Sequence, residues 1–312
     1  MKHFEHTILL CLLAVPCLLA LCPHTALSAT TVPLKLYSGL NSPVGIGFDS
    51  KRNLYIAEWG AGKVTRIAAS GKRSTFADSL NGPSGLAIDK DDNVYVASYS
   101  DDLIYKFTPS GQRSFFAQGL ATPAGLSFDE KGNLLVANRQ TNEILSFSPD
   151  LKRQTIATGL QTPVGAVITS RGNYFVSNIN GGITLVTPDQ KARTINSQLV
   201  RPGPGITIDT SDHAYVVDYG STTVYRIDLT GNLVLIADDL PSPAGITLNN
   251  EALYVATWGD GAIYKIDLPK NHKFQNWTYK SAKRIGGHNT YLKIRKPVDS
   301  WERNNSLLIR RN

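Results

Sequence analysis

Six oxygen-rich or hydroxyl side chains recur at near-constant spacing along this 312-residue chain: Glu58, Ser98, Asn138, Asn178, Asp218 and Thr257. Glu58, Asn138, Asn178 and Asp218 supply hard oxygens of mixed charge, the ligand set that calcium takes. The same residue types also bond to the backbone of the turn that follows, and this local role is the alternative to a metal site. Immediately after them come Trp59, Tyr99, Arg139, Ile179, Tyr219 and Trp258. The four aromatics among these, with Arg139, can stack on a sugar, a peptide or an apolar small molecule. They can also simply pack over one another. No residue is singled out as catalytic.

Other chemistries lose their footing. All three cysteines, Cys11, Cys17 and Cys22, lie in the first 22 residues, and beyond residue 24 the only histidines are His213, His272 and His288. A thiol nucleophile, a cysteine metal site and a disulfide framework are therefore not expected in residues 30–312. The net charge of +7 is also local. After Leu268 eleven Lys/Arg stand against two acids, a net +9, while Lys2 and Glu5 cancel. The part between then carries 7 − 9 = −2. A nucleic-acid reading would rest on the tail alone, and nucleic acid is not an expected partner.

The elements that must position these residues follow from a period of 40. Gly45, Gly85, Gly125, Gly165, Gly205 and Gly245 keep it, with Pro43, Pro83, Pro123, Pro163 and Pro243 two residues ahead. The fifth copy reads Pro202-Gly203-Pro204 instead. Each copy continues with an apolar alternation (Ile46-Gly47-Phe48), a polar turn (Asp49 to Asn53), a second apolar run (Leu54-Tyr55-Ile56-Ala57), a Gly/Asn/Asp turn and a third run such as Val64-Thr65-Arg66-Ile67. A fourth run ends at Phe76, Phe116, Ile156 or Ile236. Four short strands per 40 residues, six times over, predict an all-β, six-bladed β-propeller over residues 30–268. Residues 32–40 align with the fourth strands and have no blade ahead of them, whereas the sixth copy lacks a fourth strand of its own. The N-terminal strand is therefore expected to complete the sixth blade, since an open stack would expose two apolar faces.

Residues 1–29 form the remaining N-terminal segment. An apolar run from Ile8 to Cys22 is followed by Ala26-Leu27-Ser28-Ala29, the layout of a cleaved signal peptide rather than a membrane span. Export to a periplasmic or extracellular space follows, with no membrane span in the mature chain. Residues 269–312 form a basic, aromatic-dotted tail, expected to be flexible.

The copies resemble NHL repeats in their Pro-x-Gly, Gly-Asn, Tyr-Val-Ala and Val/Ile-x-Arg/Lys-Ile elements. The resemblance extends to streptogramin B lyases, through Ala57-Glu58-Trp59-Gly60-Ala61-Gly62-Lys63-Val64, and more loosely to gluconolactonase-like (TolB-like) propellers. It implies the fold directly. It also implies that residues between the Pro and Gly of each copy border a channel mouth, where lyases carry a catalytic histidine and gluconolactonases hold metal ligands nearby. Here those positions are Val44, Ser84, Ala124, Val164, Pro204 and Ala244. The leading expectation is a binding or scaffold module presenting an aromatic-rimmed channel mouth to a small molecule, carbohydrate or protein. A calcium-dependent lactonase or ester hydrolase comes second. Streptogramin-lyase-like activity comes third, because the histidine is missing.

Overall fold

The computed structural model describes residues 31–269 together with the strands Trp277–Ser281 and Tyr291–Arg295. The expected signal segment and most of the basic tail lie outside the described residues. Six four-stranded antiparallel sheets form the blades of a propeller. The first runs Pro43–Phe48, Leu54–Glu58, Lys63–Ile67 and Arg73–Ala77 from the axis outward. Blade 6 is made of Pro243–Asn249, Ala252–Thr257, Ala262–Asp267 and, as its outermost strand, Leu34–Tyr37 from the opposite end of the domain.

Burial follows position in the blade. The second strands Leu54–Glu58, Val94–Ser98, Leu134–Asn138 and Ala214–Asp218 are buried at every residue, because neighbouring blades cover both their faces. Strands covered on both sides read as unbroken apolar runs. The outer strand Arg73–Ala77 instead alternates and exposes Arg73 and Thr75. Between the first two strands the turn is closed by the Asp49 carboxylate, which accepts the Asn53 backbone N–H at 2.7 Å while Arg52 takes a φ of 62°. Asp89–Asn93, Asp129–Asn133 and Asp209–His213 repeat that bond. Blade 4 makes it with a hydroxyl instead, the Thr169 side chain accepting the Asn173 N–H at 3.0 Å.

Every inner strand has a register break after its proline, so that Val44 and Gly45 together oppose Ala57 alone between the pairs Pro43–Glu58 and Ile46–Ile56. Such a bulge bends the strand toward its neighbour. The consequence is a ring of close backbone contacts. A methyl group on Gly45, Gly85, Gly125, Gly165 or Gly205 would lie 2.5, 2.1, 2.4, 2.6 or 2.7 Å from a carbonyl oxygen of the next blade, from Ser84, Ala124, Val164, Pro204 and Ala244 in turn. On Gly245 it would lie 1.7 Å from the carbonyl of Val44, which closes the circle.

The seam of blade 6 carries a polar cluster. Lys35 on the N-terminal strand reaches Asp260 at 2.7 Å, and Asp260 also accepts bonds from Tyr264 (2.7 Å) and Thr257 (2.5 Å). Burial acts to raise the Asp260 pKa, but the bonds from Lys35, Thr257 and Tyr264 outweigh it and hold the carboxyl below the ordinary aspartate range. A depressed carboxyl contributes stability above its unfolded pKa of about 4 and loses it as pH falls through the lower folded value. We therefore expect Asp260→Asn to cost on the order of 1 kcal/mol or less at pH 7. Urea denaturation at pH 7 and pH 3 checks this: the gap between variant and parent should narrow at the lower pH.

Blade 5 departs from the others at its outer edge. Its fourth strand reads Leu233-Val234-Leu235-Ile236, where blade 1 has Arg73-Ser74-Thr75-Phe76. The strand Trp277–Ser281, paired antiparallel with Tyr291–Arg295, lies beside it. Val234 is buried there.

Candidate functional site

The loops ahead of the inner strands and the turns after the second strands share one face, as backbone bonds from Trp59 to Ser42 and from Gly60 to Asn41 demonstrate. The six residues that end the second strands are all buried on this side. Their partners are local. Glu58 accepts the Asn41 N–H at 2.8 Å and the Thr65 hydroxyl at 2.5 Å, with Lys63 at 3.6 Å. Asn138 accepts the Ala121 N–H at 2.8 Å, and Asn178 accepts that of Gln161 at 3.2 Å. Asp218 takes two, from Val200 (2.9 Å) and Arg201 (2.7 Å).

Each of these four oxygens thus pins the loop that leads into its own blade, some 17 residues back. The pin has a physical purpose. In three of the four pinned loops Ser42, Thr122 and Thr162, each just before a proline, sit at φ of 48–61°, a left-handed conformation that side-chain-bearing residues avoid. Outside bonds must hold such a loop in place. Each member of the calcium set read from the sequence is thus bonded to a different loop of its own blade. The oxygens bond to the preceding loop, while the Asn138 and Asn178 amide nitrogens donate into the following turn, to the Thr141 hydroxyl at 2.7 Å and the Gly182 carbonyl at 3.4 Å. Among the described residues no group of three or more His, Cys, Asp or Glu side chains has the placement to hold a metal ion.

The residues between Pro and Gly also differ from expectation. Val44, Ser84, Ala124, Val164 and Ala244 are buried, and the Ser84 hydroxyl donates to the Pro123 carbonyl of blade 3 at 2.9 Å. In place of bordering an open mouth, they close it. The Pro204 carbonyl even reaches the surroundings of Gly125, two blades away, to within 3.0 Å of where a methyl would stand. A cavity of about 290 Å³ runs along the inner strands from Val44 and Pro204 to Phe48, Ile88, Phe128 and Ile208, and none of the aromatic rim residues lines it. The bulge in each inner strand is the cause, because it draws six backbones together at this end. The aromatic rim thus sits apart from the lining of this cavity.

On that rim the sequence-predicted aromatics do come together. Trp59 meets Tyr99 edge-on with centroids 5.0 Å apart and Trp258 at 6.3 Å, and Trp258 meets Tyr219 at 5.6 Å. The Arg139 guanidinium lies 5.7 Å from the Tyr99 ring centre and donates to the Tyr99 hydroxyl. The result is one continuous arc over blades 3, 2, 1, 6 and 5. All five side chains are half-buried, so each keeps a face in solvent. Blade 4 places Ile179 at this position, where it packs against the apolar cluster around Ala137, Val164 and Val176. Sequence reasoning missed the ring of glycine contacts and the pinned loops. The period-40 glycines were a signal for the first, and a polar residue closing every apolar second strand was one for the second.

His213 sits in the turn at the other end of blade 5, with Nδ1 3.5 Å from Asp209. It is far along the strand from the rim and takes no part in it.

The fold and this surface define a six-bladed β-propeller. Known structures with the same architecture include a streptogramin B lyase (16% identity, TM-score 0.60, covering 76% of this chain and 97% of that one). A gluconolactonase from Xanthomonas campestris is similar as well (16% identity, TM-score 0.67, 76% and 89% covered). So is the nidogen/laminin complex structure (22% identity, TM-score 0.62, 69% and 89% covered). No protein-family model matches the chain, and no curated protein does. At these identities the likeness is one of fold. Among the described residues no helix is long and apolar enough to cross a membrane.

Proposed function

We propose that this chain is an exported ligand-binding module whose recognition surface is the aromatic face formed by Trp59, Tyr99, Arg139, Tyr219 and Trp258. The unbroken aromatic arc carries this reading. Four rings, one on each of blades 2, 1, 6 and 5, touch one another across the blade boundaries and build a half-exposed floor. Aromatic floors of this kind bind the faces of rings by stacking, each contact contributing about 0.5–1.5 kcal/mol beyond area burial. The loops beneath are pinned by buried side chains, so the floor is organised before any ligand arrives. Export rests on the 1–29 segment, and N-terminal sequencing of the secreted chain, beginning at Thr30, checks it.

Two of the chain's four tryptophans lie in the arc, so intrinsic fluorescence reports on it. Titration with a panel of oligosaccharides and peptides should give a saturable change, and Trp258→Ala should weaken the bound ligand about tenfold or more, roughly 1.4 kcal/mol, with an unchanged thermal midpoint. Unaltered affinity in both Trp258→Ala and Trp59→Ala would overturn the proposal.

A further inference from the structure

We propose that the outer edge of blade 5 is a docking surface whose occupant is this chain's own C-terminal hairpin, the strands Trp277–Ser281 and Tyr291–Arg295. The burial of the outer strands sets blade 5 apart. Those of the other five blades each leave at least two residues exposed, whereas Leu233–Ala237 leaves none. One position shows the difference directly. Thr75, Phe115, Thr155 and Thr194 hold the same register place in blades 1 to 4 and are exposed, while Leu235 in blade 5 is half-buried. Among the described residues Leu235 belongs to none of the apolar clusters that join the blades. Its cover therefore comes from outside the blade stack, on the side where Trp277–Ser281 lies.

The edge needs a cover. Leu233–Ala237 is the last strand of its sheet and pairs only with Thr223–Ile227. Along its other side it presents a row of backbone N–H and C=O groups on an apolar strand, which invites pairing with another chain. The hairpin needs a support in turn, because a lone two-stranded hairpin is marginal in water. It forms a two-stranded sheet of its own, so it covers the edge as a separate layer and does not extend the blade.

Charge selects the same pair. Residues 201–268, which supply blade 5 and three strands of blade 6, hold nine acids against Arg201, Arg226 and Lys265, a net 3 − 9 = −6. From Lys270 to Lys296 there are eight Lys/Arg and no acid, a net +8. The rest of the wheel, residues 30–200, has 17 Lys/Arg against 13 acids, a net 17 − 13 = +4. The basic hairpin thus lies beside the acidic third of the ring. Asp238 and Asp239 directly follow the covered strand, are exposed, and have no Lys or Arg partner among the described residues. Attraction of this kind reaches about 8–10 Å at physiological salt and is screened above it. The tether is short as well. Only residues 269–276 separate Leu268 from Trp277, which keeps the hairpin at high effective concentration beside its own blade.

The test uses the full chain. By hydrogen exchange at 50 mM NaCl, the amides of Leu233–Ala237 should exchange at least about tenfold more slowly than those of Arg73–Ala77, at a rate independent of protein concentration. Chymotrypsin cleavage after Tyr279 and Tyr291 should be slow in the parent. Leu235→Lys should speed it about tenfold and keep the thermal midpoint, since three other blades carry threonine at this place. Cleavage should also be severalfold faster at 0.5 M NaCl, and in a triple variant Lys280→Glu, Lys293→Glu, Arg295→Glu. The triple variant lies outside the propeller and leaves the apolar edge bare, so it should self-associate on gel filtration, whereas Leu235→Lys should stay monomeric. Equal exchange in the two outer strands, or fast parental cleavage that Leu235→Lys leaves unchanged, would overturn the proposal. So would protection of Leu233–Ala237 that rises with protein concentration alongside a dimer, which would assign the edge to a second copy.

Discussion

Gly245→Ala should leave the chain unable to close its ring. The added methyl would stand 1.7 Å from the Val44 carbonyl oxygen, and backbone on both sides is fixed by sheet pairing. Real Cβ contacts essentially never fall under 3.0 Å, so blades 1 and 6 would have to separate by more than 1 Å. Gly245 has no positive φ, so alanine is allowed there as a conformation and only the contact forbids it. Overpacking of this severity exceeds the usual 1–3 kcal/mol, and we expect a loss of at least about 4 kcal/mol, or no soluble protein. Gly71→Ala provides the contrast. Gly71 has φ of 85° with nothing within 4 Å, so its cost is the backbone term alone, on the order of 1 kcal/mol. Urea midpoints of the two variants measure the difference. A Gly245→Ala protein as stable as Gly71→Ala would show that the blades are not in contact at the axis.

Asp218→Ala is the second large effect. Asp218 is buried and is the acceptor for two backbone N–H groups, those of Val200 and Arg201. Removing it strips both donors of a charged partner in a site where water has little access. At about 1.5–3 kcal/mol per charge-assisted bond, partly recovered by loop relaxation, we expect a loss of about 3 kcal/mol. Hydrogen exchange should place the loosening in the loop ahead of blade 5. Asp218→Asn retains one acceptor oxygen and should cost less than half as much. The same geometry bears on calcium. A cation at Glu58, Asn138, Asn178 and Asp218 would have to take these oxygens from four different loops. Millimolar calcium should therefore leave the melting temperature where a chelator leaves it. A rise of several degrees that vanishes in Glu58→Gln and Asp218→Asn would instead favour the metal reading and the lactonase hypothesis with it.

The amino-acid sequence on its own determined the blade count, the strand order within each blade and the closure by residues 32–40. These are properties of a short repeated pattern: proline at a strand start, an Asx turn, an unbroken apolar run and glycine at a bulge. Each is decided by local sterics and by which faces must be buried, so each is visible in one copy and confirmed by five more. The aromatic rim was legible for the same reason, since strand alternation fixes which end of a blade a residue occupies. What the tertiary structure alone decided lies between blades. Whether Val44 and its counterparts border an opening or seal it depends on how far six bulged backbones lean toward one axis. Whether Glu58 and Asp218 face a shared ion or their own loops depends on a fold-back over 17 residues whose direction no periodicity encodes. Likewise, the sequence lists Arg139 and Arg201 as two cations 62 positions apart. Only ring closure sets them on either side of blade 4, in the rim turn of blade 3 and the loop ahead of blade 5.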